Sequence, residues 1–215
     1  MLNMRIVALS DNHGWLPDKM PEGDVLVVAG DILPLDIQRD NECSFRWARN
    51  RFAKWIHKWK YSATIVVPGN HDLCFEKGDP FTMFDDIFTL VGQTQDINGV
   101  KFYGFPYIRA MRNWAFPDNA DVYDNMKSAD VLVCHDTPFI KGSFSDKDIL
   151  RFAAYNIEPG NARLADKVKD YKLTICGHWH EACKGPIEYD GGVLYNVSVK
   201  DDNYKVKWKP TLIEI

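Results

Sequence analysis

The chain is 215 residues long, which suits one compact domain spanning residues 1–215. Hydrophobic residues make up 46% and charged residues 26%, an ordinary globular balance, and twelve Phe, nine Tyr and seven Trp are aromatic mass enough for a large core. A formal net charge of −4 argues against the chain as a whole pairing with nucleic acid or an anionic membrane, and its apolar stretches of four to six residues are far too short for a membrane span.

Segment 5–10 (Arg-Ile-Val-Ala-Leu-Ser) reads as a strand covered on both faces, because it is apolar without alternation. It runs straight into Asp11-Asn12-His13-Gly14, with no basic and apolar regions of a secretory leader before it. Segment 24–29 is a second such run and ends in Gly30-Asp31. Residues 41–60 read as a helix, since Phe45, Ala48, Phe52, Trp55, Ile56 and Trp59 recur at three- and four-residue spacing. Its other face carries Arg46, Arg49, Arg51, Lys54, Lys58 and Lys60, read as a solvated outer face whose long stems cover tryptophans rather than as a polyanion track.

A third apolar run, 63–68, leads into Gly69-Asn70-His71-Asp72. Asn98-Gly99 between β-prone residues predicts a hairpin over 96–103. In the following loop, Arg109, Arg112 and Trp114 fit substrate contact and an ordinary surface loop equally well. Run 130–134 ends in His135-Asp136, and run 172–176 in Gly177-His178-Trp179-His180. Between these two, helices are predicted over 145–155, opened by a Ser145-x-x-Asp148 box, and over 159–171, with Asn161 as N-cap. Asp190-Gly191-Gly192 predicts another hairpin, and 211–215 a terminal strand. This order of elements predicts a layered α/β fold with mixed sheets. Five cysteines, at 43, 74, 134, 176 and 183, form no Cys-x-x-Cys pair, so they are expected reduced in a cytoplasmic setting.

Five of the six histidines, His13, His71, His135, His178 and His180, stand at the ends of these runs, interleaved with Asp11, Asp31 and Asn70. In open α/β sheets the site lies beyond the carboxyl ends of the strands. Packing alone would favour apolar side chains there, because unpaired buried polar groups cost stability. Imidazole, carboxylate and amide donors without a thiolate suit divalent ions such as Mn²⁺, Fe²⁺ or Zn²⁺. Seven or more donors exceed what one ion needs. Two ions roughly 3.5–4 Å apart would use them all, bind two oxygens of a phosphate and support a bridging hydroxide as nucleophile.

Asp11-x-His13, Gly30-Asp31, Gly69-Asn70-His71-Asp72, His135 and Gly177-His178-x-His180 together resemble the five signature motifs of the calcineurin-like metallophosphoesterase superfamily, in its order. Residues 176–181, 195–199 and 102–116 resemble a small phosphodiesterase branch within it. The resemblance implies a four-layer sandwich of two mixed β-sheets flanked by α-helices. It also implies a metal-dependent phosphoric ester hydrolase, more readily a phosphodiesterase, acting on a small phosphate ester by in-line attack of a metal-bridging hydroxide. Two divalent ions are implied, Mn²⁺ first, with Fe²⁺, Zn²⁺ or Ni²⁺ as alternatives. Asp11, His13 and His180 would hold the first ion, Asn70, His135 and His178 the second, and Asp31 would bridge them. His71 would face the leaving-group oxygen as general acid, and Asp72 would orient His71. Pro34 stands where many members carry a further Asp, which leaves Asp36 or Asp72 to support His71. A non-catalytic scaffold on the same fold would lack His71 or a ligand, and a nuclease would need an extended basic groove or a capping domain, for which 215 residues leave little room.

Overall fold

A computed structural model describes residues 4–109 and 111–215. Among the described residues eleven strands form two sheets. The first contains β1 (Arg5–Leu9), β2 (Val25–Val28), β3 (Ala63–Val66), β4 (Ile87–Thr89) and the terminal β11 (Thr211–Glu214), in the order β11-β1-β2-β3-β4. The second contains β5 (Thr94–Ile97), β6 (Val100–Phe105), β7 (Val131–Cys134), β8 (Leu173–Cys176), β9 (Ile187–Tyr189) and β10 (Gly192–Asn196), in the order β5-β6-β7-β8-β10-β9. Both sheets are mixed. In the first only β11 runs antiparallel to its neighbour, and in the second the outer strands β5 and β9 do.

The layering follows from the two-residue period of the strands. Ile6, Ala8, Val25, Val27, Ala63 and Ile65 of the first sheet meet Phe102, Val131, Val133, Leu173 and Ile175 of the second in one shared core. The alternate residues Val7, Leu9, Leu26, Val28 and Val66 turn outward onto α1 (Asn41–Trp47), a π-helical turn (Ala48–Phe52) and α2 (Ala53–Ile56). On the far side Tyr103, Phe105, Leu132 and Cys134 pack on α3 (Ala120–Asp124) and α5 (Ala162–Val168) through Tyr123, Leu164 and Val168. Helix, sheet, sheet, helix is the four-layer order the resemblance implies. Strands β1, β2, β3, β7 and β8 are buried on both faces apart from Arg5, so their unbroken apolar runs read correctly.

The predicted helix over 41–60 is broken by the π turn and stops at Ile56. Residues five apart come into register in a π turn, and Trp47 stacks on Phe52 at 5.8 Å, with Trp55 continuing the stack 5.6 Å beyond. The 159–171 helix begins only at Ala162, because Gly160 lies at φ +64° and Asn161 is extended, its side chain accepting from the Leu164 N–H at 2.9 Å. Helix α4 (Asp146–Ala154) is capped by Ser145 as expected. Asn98 and Gly99, at φ 53° and 83°, make the left-handed two-residue turn of the β5–β6 hairpin. Strand β4, the 3₁₀ turn Leu73–Glu76 and α3 were not foreseen. Among the described residues no helix is long and apolar enough to cross a membrane.

Candidate metal centre

The two sheets meet at their carboxyl ends, where Ser10 bridges Ser198 in parallel and its N–H donates to the Val197 carbonyl at 3.0 Å. That junction brings the loops after β1, β2, β3, β7 and β8 to one place. Four of the predicted ligands, Asp11, His13, Asp31 and His178, have left-handed backbones, at φ 54°, 39°, 57° and 66°. Non-glycine residues rarely sit there, and such strain concentrates where surrounding structure must aim a side chain. Gly30, itself at φ +95°, and Gly69 are required by close approach: a Cβ on either would overlap the His135 ring, and on Gly69 the Asp31 carboxylate as well.

Three overlapping donor groups result, Asp11–His13–His180, His13–Asp31–His71 and Asp31–His135–His178, each with its ligand atoms within 4.8 Å of one another. Asp31 lies in the middle: its Oδ1 is 3.3 Å from His135 Nε2 and its Oδ2 is 3.8 Å from His13 Nε2. Asn70 Oδ1 lies 3.0 Å from His135 Nε2, and Asp11 Oδ1 lies 3.3 Å from His180 Nε2. All seven predicted ligands are thus brought together.

A shell of hydrogen bonds aims them. His135 Nδ1 faces the Ala29 carbonyl and His180 Nδ1 the Asp201 carbonyl, both at 2.8 Å. A carbonyl only accepts, so each Nδ1 carries the hydrogen and each Nε2 is turned into the centre, an arrangement typical of histidines that bind metal. Asp11 is held by the Ser198 hydroxyl at 2.6 Å, by the Ser10 hydroxyl and by the His178 N–H at 3.0 Å. Asn196 donates to Thr137 Oγ1 and to the carbonyls of Gly177 and Trp179, fixing the loop that carries His178 and His180.

The electrostatics fit a cation. His13 is buried, and neither of its ring nitrogens has a hydrogen-bond partner among the described residues. Burial pushes its pKa down to about 4 despite Asp31 and Asp11, so it stands neutral with a lone pair free. An orphaned buried imidazole calls for an explanation, and an ion supplies it. Burial would raise Asp11 and Asp31, but the adjoining histidines outweigh it and hold both carboxyls well below their usual range. Burial would likewise lower His135 and His180. The carboxylates of Asp31 and Asp11 instead carry them up to about 10 and about 9. Nitrogen and oxygen donors, with no thiolate among them, fit the divalent ions expected from the sequence.

His71 lines the cleft, its Nε2 3.9 Å from Asp31 Oδ2 and its backbone N–H donating to Asp31 Oδ1 at 2.8 Å. The expected orienting role of Asp72 is corrected by the structure. The Asp72 carboxylate is buried and accepts the backbone N–H groups of Gly69 at 2.8 Å and of Ile32 and Leu33 at 3.0 Å. It therefore ties the Asp31 loop to the Asn70 loop, and burial together with the Asp31 charge raises it to about 7. The partner of His71 Nδ1 is Gln38 Oε1 at 2.5 Å, rather than Asp36 or Asp72. Gln38 belongs to no motif, so nothing in the sequence singled it out. Tyr204, whose ring lies 4.9 Å from His13 and 5.5 Å from His180, was missed for the same reason. Trp114, one of the loop residues considered for substrate contact, lies 4.2 Å from the His71 ring, with the Arg39 guanidinium over it at 4.7 Å.

Residues 4–182 match the family described as calcineurin-like phosphoesterase. The human protein named Metallophosphoesterase domain-containing protein 1 is 24% identical over 244 aligned residues, covering 98% of this chain and 71% of that protein, and the mouse protein of the same name matches equally. A solved crystal structure superposes with a TM-score of 0.63 at 18% identity, covering 91% of this chain and 90% of that one, a likeness of fold.

Proposed function

The chain belongs to the calcineurin-like phosphoesterase family of metal-dependent phosphoester hydrolases, and from that premise we propose that it is a phosphodiesterase working with two divalent ions, Mn²⁺ first among them. The observation that carries this reading is the sharing of Asp31 between two donor groups beside a buried His13 whose ring nitrogens have no hydrogen-bond partner among the described residues. Asp11, His13 and His180 would hold one ion, Asn70, His135 and His178 the other, with Asp31 common to both. When bound, such a pair neutralises phosphoryl charge and supplies an activated water for in-line attack on phosphorus.

The chain's own residues do the rest. His71, whose Nδ1–H is held by Gln38, turns Nε2 toward the cleft and, when that nitrogen is protonated as well, serves as proton donor to the leaving oxygen. Trp114 and Tyr204 wall the cleft beside it. Asp72 acts by clamping two ligand loops. We assign the whole of residues 1–215 to this single unit, since terminal β11 completes the first sheet against β1. Five free cysteines support a reducing, cytoplasmic setting. A non-catalytic scaffold is disfavoured because His71 and every expected ligand are present. Nucleic acid is disfavoured as substrate by the net charge of −4.

The test is hydrolysis of chromogenic phosphodiester and phosphomonoester substrates by metal-stripped protein, with Mn²⁺, Ni²⁺, Zn²⁺ and Mg²⁺ restored separately. Metal-dependent turnover favouring the diester is expected. Two bound ions with no turnover on either substrate would return the scaffold reading.

A further inference from the structure

Two cavities open at the candidate centre, and they share His178 and Met111 as walls. The first, about 320 Å³, is lined by His71, Trp114, Tyr204 and Asp202 as well as by the donor residues. The second, about 360 Å³, is lined by Arg109, Met111, Asp136, Ile157, His178 and Trp179. Their chemistry differs. The first is polar, with His71 and two carboxylates on its walls. In the second the charged groups are already engaged. Asp136 accepts from the Thr137 N–H at 2.9 Å, Asn161 Nδ2 at 3.0 Å, Trp179 Nε1 at 3.1 Å and the Arg109 N–H at 3.3 Å. The Arg109 guanidinium is turned to Glu158, donating to its carbonyl at 2.7 Å with its carboxylate at 3.6 Å.

What remains to meet a ligand there is apolar. The Trp179 indole is wedged edge-on against Phe144 and Phe152, and Ile157 and Met111 stand 44% and 43% exposed at the mouth. Together with Trp179 these side chains give the cavity an apolar wall beside a polar centre, the kind of surface an apolar ligand group can cover.

We propose that the second cavity is a subsite for the retained arm of the phosphodiester, and that this arm is apolar or aromatic. The inference rests on the phosphodiesterase reading. With phosphorus at the centre, a new P–O bond forms to the attacking water as the P–O bond of the released arm breaks. The leaving oxygen takes a proton from protonated His71 and departs as an alcohol through the first cavity, and the proton given up by the water passes to solvent. The other ester arm then points past His178 and Met111 onto Trp179 and Ile157. A monoester has no group to place there, so this subsite is what selects diesters. The volume suits a phenyl- or base-sized group rather than a macromolecule.

Binding can be read without turnover by using phosphinates, whose P–C bonds are not hydrolysed. Mn²⁺-loaded protein would be titrated calorimetrically with diphenylphosphinate, which has two aryl arms, and with methylphenylphosphinate, which has one. Diphenylphosphinate is expected to bind about tenfold tighter, roughly what burying a phenyl-sized apolar surface contributes. Ile157→Asp, at an exposed position and so tolerated by the fold, is expected to abolish that preference, and Ile157→Leu to keep it. Equal affinities in the unmodified protein, or a preference untouched by Ile157→Asp, would overturn the subsite. Diester hydrolysis without the preference would remove the subsite alone. The preference without hydrolysis would remove the phosphodiesterase reading and leave the subsite standing.

Discussion

At the scale of single residues, the centre divides into groups that hold charge and one group that moves a proton. Asp31 belongs to two of the three donor groups and is the ligand assigned to both ion positions, so Asp31→Ala is expected to lose metal from both positions, seen as less than one tightly bound ion per chain by elemental analysis. His71 enters one donor group with His13 and Asp31, but it is assigned to neither ion position and has its own partner in Gln38. His71→Ala is therefore expected to keep the metal content of the unmodified protein and lose about 10²–10⁴-fold in kcat, the usual range for a removed general acid. Undiminished turnover by that variant would remove the assigned role. Protons also compete with metal here. In the metal-free protein His135 and His180, raised to about 10 and about 9, are protonated at pH 7. Metal binding needs their Nε2 lone pairs, so uptake at pH 7 is expected to release one proton from each. Calorimetry of metal binding in buffers of different ionisation enthalpy measures that release, and a heat independent of buffer would contradict it.

At the scale of elements, five strands deliver the site and short loops aim it. The apolar runs 5–10, 24–29, 63–68, 130–134 and 172–176 were legible because strands buried on both faces read as continuous hydrophobic stretches. The 41–60 segment was legible only as an amphipathic helix. Its π turn arises from aromatic packing between Trp47, Phe52 and Trp55, which a 3.6-residue period does not encode. Phe52 is fully buried at that turn and touches Phe81 as well. Phe52→Ala is expected to destabilise the fold by about 3–5 kcal/mol through transfer and cavity terms. Urea denaturation would register this as a lower midpoint at constant slope. A loss below about 1 kcal/mol would mean that the helical layer is not packed as described. Strand β4 went unforeseen because it is three residues long at the edge of its sheet, too short for either period to declare itself.

At the scale of the whole molecule, the centre is a junction between two sheets, so ions that bind the folded state alone should tie those sheets together. Mn²⁺ at a hundredfold excess over its dissociation constant is expected to add about 2.7 kcal/mol per site, and a chelator to reverse it. For a chain of this size that corresponds to roughly 5–10 °C in Tm for each occupied site. An unchanged Tm would mean that metal binds folded and unfolded chains alike. The sequence by itself determined which residues could ligate and where along the chain they fall, because the donor types and the strands that precede them are local properties. It also determined the layered α/β class, through the order of apolar runs and turns. Only the tertiary structure decided that Gln38, rather than Asp36 or Asp72, faces His71, that Asp72 serves instead as a backbone clamp, and that Tyr204 closes over His13. Partners that meet by packing across loops leave no period or spacing in the chain, since their approach is set by the angle at which the two sheets and their loops come together.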